Sequence, residues 1–132
     1  MINYDYDEML NVIYAKPARQ LTVSEMDDYA KRVAADPQVK DKFIEIVDFT
    51  QISKFEWSYA QSGEVMKLFA CLECKQPLGS ILLVKSSLQI GMARMIKSVF
   101  EPKIRIYIVN SLTDANMQLK KIRATQNSVN FA

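Results

Sequence analysis

Few residues in this 132-residue chain have types and spacings that could do chemistry. Ser58 stands at the head of a helical pattern just after an apolar run, with Gln61 three residues on. That spacing is a capping box, in which the serine hydroxyl accepts from a backbone N–H of the first turn. The same place suits a phosphate, because unpaired N–H groups and the positive end of the helix dipole both favour an anion. Ser58 therefore reads first as a helix cap and second as a phosphorylation candidate. Cys71 and Cys74 form a C-x-x-C pair, yet they fall near the end of that helix, where the dipole opposes a thiolate. The chain has no histidine and no third cysteine to complete a zinc site. The pair reads as reduced structural thiols, with no metal and no other cofactor expected. Glu45, Asp48 and Glu56 lie close in sequence, but acids at strand ends and helix starts are ordinarily caps or solvated charges.

The composition narrows the chemistry further. Without histidine, Ser-His and Cys-His nucleophiles and the usual neutral-pH general base are excluded. Three glycines are too few to assemble a phosphate-cradling loop or a dinucleotide fingerprint. An enzyme is not expected. Apolar residues at 49% and charged residues at 24% give a globular balance. No apolar run approaches the roughly 20 residues of a membrane span, and the start MINYDYDE is acidic where a secretory signal would be basic. The expectation is a cytoplasmic protein. The net charge of +2 is small, although the N-terminal part is acidic and the C-terminal part basic. Lys97, Lys120, Lys121 and Arg123 read as solvated helix faces, so no nucleic-acid partner is expected.

The elements that must position these residues alternate. Val12, Ile13 and Tyr14 predict a strand ended by Pro17, with a hairpin partner in INYDY. Thr22 and Glu25 make a capping box for a helix in which Met26, Tyr29, Ala30 and Val33 share one face. FIEIVDF, residues 43–49, is a nearly continuous apolar run broken by Glu45, and predicts a strand covered on both sides. A short polar loop leads to the helix opening at Ser58, whose stripe is Val65, Leu68, Phe69 and Leu72. SILLVKS predicts a central strand. Leu88, Met92, Met95, Ile96 and Val99 then fall at helical spacing. KIRIYIVNS alternates Ile104, Ile106 and Ile108 against Arg105, Tyr107 and Val109, as a strand towards a sheet edge does. Ser111 can cap a last helix with Leu112, Ala115, Leu119 and Ile122 on one stripe. Strands alternating with helices require crossovers, hence an α/β fold with a mixed, mostly parallel sheet and about four helices. One domain is expected over residues 1–123, followed by a loose tail over 124–132.

The order of elements, with D-F-T-x-I at Asp48 to Ile52, Phe55, and Ser58 opening the next helix, resembles the STAS domains. More narrowly, it resembles their SpoIIAA-like branch of small stand-alone proteins, over roughly residues 10–122. The resemblance implies a compact βα superhelix. In phosphoregulated members the strand is followed by an acidic residue, two serines and a glycine at the helix start. Glu56 falls at the acidic place and Ser58 at the second serine, while Trp57 and Tyr59 stand where the first serine and the glycine would be. The resemblance implies a non-enzymatic regulatory module that binds a protein partner, with Asp48, Thr50, Phe55, Glu56, Trp57 and Tyr59 as partner- or ligand-binding residues. SpoIIAA-like proteins are also similar in fold to the Sec14 lipid-binding proteins. A carrier or sensor of a small apolar molecule or lipid is therefore the alternative, and a homodimer stays open.

Overall fold

The computed structural model describes residues 1–56, 75–101 and 103–131, with the backbone alone over 126–131. Two strands open the chain, β1 (Asn3–Asp7) and β2 (Val12–Lys16), paired antiparallel as a hairpin. The connecting turn needs Asn11 in the left-handed region, at φ 53°, a conformation that asparagine tolerates better than most residues. After β3 (Gln20–Thr22) comes α1 (Val23–Ala35), followed by β4 (Ile44–Asp48) and β5 (Lys54–Glu56). Beyond residue 75 the order is β6 (Gly79–Leu83), α2 (Ser87–Phe100), β7 (Ile106–Val109) and α3 (Leu112–Phe131).

The main sheet runs β1-β2-β4-β6-β7, with every pairing after the hairpin parallel. Alternation along the strands divides the core in two. Ile13, Ala15, Val47, Leu82 and Ile106 point to the face packed by α1 and α2. Val12, Ile44, Ile46 and Ile81 point to the opposite face, where Ala115 and Ile122 of α3 cover them. Gly79 belongs to this second layer, and a Cβ there would meet Ile122 Cδ1 at 3.3 Å and the Tyr107 ring at 3.4 Å. The α/β class, the mixed and mostly parallel sheet, and the hairpin agree with expectation.

Several expectations are corrected. Three helices stand among the described residues rather than about four, because the helix expected from Ser58 lies outside them. The polar loop after β4 contains β5, which pairs parallel with β3 in a second, two-stranded sheet. Three-residue strands are too short to show a period of two. Leu88 and Leu112 are exposed, at 48% and 59%, instead of lying on buried stripes. Each sits in the first turn of its helix, where the chain has only just left the sheet. Gln89 takes the inward place beside Leu88, and Ser86 with Gln89 forms the complete capping box of α2. The Thr22 box is half made, since the Thr22 hydroxyl accepts from Glu25 N at 3.1 Å while the Glu25 carboxylate turns to the Met1 amino group. Residues 124–131 continue α3 where a loose tail was expected, and this stretch holds no glycine or proline to stop a helix. Arg123 is not a solvated charge: its guanidinium donates to the carbonyls of Leu10 and Asn11 at 2.7 and 2.9 Å and fastens α3 to the hairpin turn.

Candidate functional site

Of the residues singled out in the sequence, Asp48 and Thr50 are brought together. Asp48 ends β4, and its Oδ1 accepts from both the Thr50 N–H (2.9 Å) and the Thr50 hydroxyl (2.5 Å). This closes a turn of the Asx kind. The segment that follows is held from both ends. Ile52 is buried, its N–H donates to Phe49 O, and its carbonyl accepts from the buried Gln89 amide at 3.0 Å. Phe55 is half-buried against the α1/α2 core rather than displayed on the surface. Glu56 is exposed and pairs with Lys54 at 3.3 Å. Trp57, Ser58 and Tyr59 lie outside the described residues, as do Cys71 and Cys74.

The three acids considered together in the sequence have separate surroundings. Asp48 serves its turn and Glu56 faces solvent, but Glu45 is neither a cap nor a solvated charge. The pleat sends Glu45 to the α1/α2 face along with Val47, and register places Ser80 of β6 beside it. Tyr29 reaches the same point from α1 because it shares that helix's inward side with Ala30 and Val33. Glu45 Oε2 accepts from the Tyr29 hydroxyl at 2.7 Å and Oε1 from the Ser80 hydroxyl. Protein surrounds both Glu45 and Tyr29, yet each keeps some accessible surface because each lines a cavity.

That cavity has a volume of about 120 Å³ and lies between the sheet and the α1/α2 layer. Its walls are almost wholly apolar, with Leu21, Val33, Phe43, Leu82, Ile104 and Ile106 among them. Among the described residues, Glu45, Tyr29 and Ser80 are the polar members of the lining. Burial pushes the Glu45 carboxyl up from its ordinary range, and the two donated hydrogen bonds only partly oppose this. Tyr29 is raised well above its ordinary value by burial first and the neighbouring carboxylate second. Polar contacts continue outward from Tyr29. Tyr4 of β1 meets its ring edge to face at 5.9 Å, Arg32 lies 5.6 Å over the Tyr4 ring, and the Tyr4 hydroxyl donates to Asp36 at 2.8 Å. Burial and that bond push Tyr4 up to about 12. Sequence reasoning noticed Glu45 as an interruption of the apolar run and as one of three acids set down to caps or solvated charge; its place in phase with inward Val47, matched by Ser80 in phase with Leu82, was the available signal.

No protein-family model matches the chain, and no curated protein matches it in sequence. Solved structures do. An uncharacterized protein of the DUF3478 family with a SpoIIAA-like fold, from Shewanella loihica PV-4, is similar with a TM-score of 0.56 and 16% identity, over 90% of this chain and 92% of that one. The anti-sigma factor antagonist SpoIIAA in its unphosphorylated form is similar with a TM-score of 0.53 and 13% identity, over 92% of this chain and 98% of that one. At such identities the likeness concerns the fold, and the fold is SpoIIAA-like.

Proposed function

We propose that this chain, with its SpoIIAA-like fold, is a non-enzymatic regulatory module that responds to a compact, mostly apolar small molecule held in the cavity around Glu45. One observation carries the reading: a carboxylate flanked by two hydroxyls stands in the wall of an otherwise apolar cavity. Apolar walls with a few convergent polar groups are the usual make-up of a small-molecule site. The volume sets the scale of the ligand. About 120 Å³ is less than the roughly 150 Å³ of a cavity that takes benzene, so a whole acyl chain does not fit and a lipid is the less suitable occupant. The test is the intact mass of the protein purified gently from its own host, under native and denaturing conditions. An added mass present only under native conditions supports the reading; the bare chain mass in both counts against it.

A second reading, recognition of a protein partner by the segment after β4, is favoured by the way that segment is held. The Asp48–Thr50 turn and the Gln89–Ile52 bond fix the chain up to β5, which ends in exposed Glu56 just ahead of Ser58. Similarity in fold to an anti-sigma factor antagonist supports it as well. Phosphate on Ser58 would add nearly two negative charges beside Glu56 and alter recognition more than structure. The denaturing mass reads this directly: an increment of one phosphate mapped to Ser58 supports control by phosphorylation. Cross-linking in a host lysate, with Glu56→Lys as the comparison, reads the partner. Capture unchanged by that substitution would place any partner elsewhere on the molecule.

A further inference from the structure

The hydrogen bonds around Glu45 restrict what the cavity can hold. Tyr29 and Ser80 each carry a single hydroxyl proton, and both protons are committed to the carboxylate. What remains for a ligand is acceptor capacity alone: the second lone pairs of the two carboxylate oxygens and those of the two hydroxyls. A ligand seated here must donate. Ligand carboxylates, phosphates, ethers and ketones have nothing to give this wall, whereas amines and alcohols do. Among the described residues the only hydrogen-bond partners of Glu45 are these two hydroxyls, and no lysine or arginine pairs with it. A buried carboxylate with neutral donors only lacks a counter-charge, and a cation brought by the ligand would supply one.

We infer that the cavity is a site for a small primary ammonium ion with a branched or cyclic apolar body of about four to six heavy atoms, its ammonium group bound by Glu45 and received by the Tyr29 and Ser80 oxygens. Leu21, Val33, Phe43 and Leu82 surround the body. The inference deepens the ligand reading above and rests on it. A compact organic cation differs from a lipid in both size and charge, and the residue that makes the distinction is Glu45.

The experiment is a calorimetric or NMR titration of the full chain at pH 7 with three probes of one shape: isobutylamine, isobutanol and isobutyrate. The expected order is amine over alcohol by about tenfold or more, with isobutyrate not binding, since each tenfold step corresponds to one added charge-assisted contact of modest strength. Glu45→Gln keeps the size while removing the charge, so it should abolish the amine's advantage over isobutanol. The ranking on the wild-type protein needs no variant to fold. Equal binding of amine and alcohol, any preference for isobutyrate, or an amine preference that survives in Glu45→Gln overturns the inference. Binding of isobutanol without an amine preference would overturn it while leaving the small-molecule reading in place. Binding of none of the three would overturn both.

Discussion

Glu45 holds its proton more tightly in the folded chain than in the unfolded one, because the cavity and core around it disfavour the charge. The consequence for stability has a definite sign. Below the ordinary glutamate range both states are protonated and the residue contributes nothing; as pH rises through that range the unfolded chain releases the proton first, so stability falls until the raised folded pKa is passed. Glu45→Gln should therefore be more stable than wild type at neutral pH, with the gap closing as pH falls towards 4. Urea denaturation across that range measures it, and a gap that stays constant with pH would contradict the assignment. The same substitution is expected to stabilise the fold while removing the preference for an amine, a combination that general damage to the core cannot produce. At this scale the sequence was least legible. An acid within FIEIVDF is visible, but whether it ends a strand or enters a cavity depends on Tyr29 and Ser80, sixteen and thirty-five residues away.

Elements were legible where a repeating pattern or a stop signal was long enough to register. The hairpin, α1, β4, β6, α2 and β7 follow from apolar periodicity, the hairpin strand with its stop at Pro17. Strands β3 and β5 had no such pattern, and Arg123 looked like any surface cation until α3 was set against the Leu10–Asn11 turn. Helix α2 allows two clean tests. Gly91 is exposed in its interior, and a Cβ there would meet nothing within 4 Å; Gly91→Ala should stabilise by about 0.5–1 kcal/mol through helix propensity and unfolded-state entropy. Ser86→Ala, which removes the N-cap bond to Gln89, should destabilise by about 1 kcal/mol. Thermal or urea unfolding reads both, and a destabilising Gly91→Ala would show that the helix is placed wrongly. Charge also shapes the edge of β7 that no described strand pairs. The Ile106 N–H donates to Glu101 and its carbonyl accepts from Lys97, the two side chains themselves paired at 3.2 Å. Edge backbone groups engaged in this way cannot template another strand. Replacing both residues by alanine should produce concentration-dependent self-association in sedimentation; a variant as monodisperse as wild type would remove this role.

For the whole molecule, the arrangement places one helix layer over a closely packed face and another over a face that keeps a cavity. On the α3 side, Gly79 leaves no room for even a methyl group without displacement of Ile122 or Tyr107. On the α1/α2 side, the sheet contributes Glu45 and Ser80 to a space that no described side chain fills. A closely packed face and a face with a cavity coexist in this SpoIIAA-like fold because the two faces of one sheet are free to differ. The alternation of elements made the mixed sheet legible from the start, but the difference between its faces appears only when helices are assigned to sides. The most direct test of the central claim is an amide NMR titration of the full chain with isobutanol, a neutral probe that commits to no charge. The account predicts saturable shifts confined to residues around the cavity, such as Val33, Phe43, Ser80, Leu82 and Ile106, with the α3 face silent. Shifts scattered over the surface, or none at millimolar probe, would contradict it.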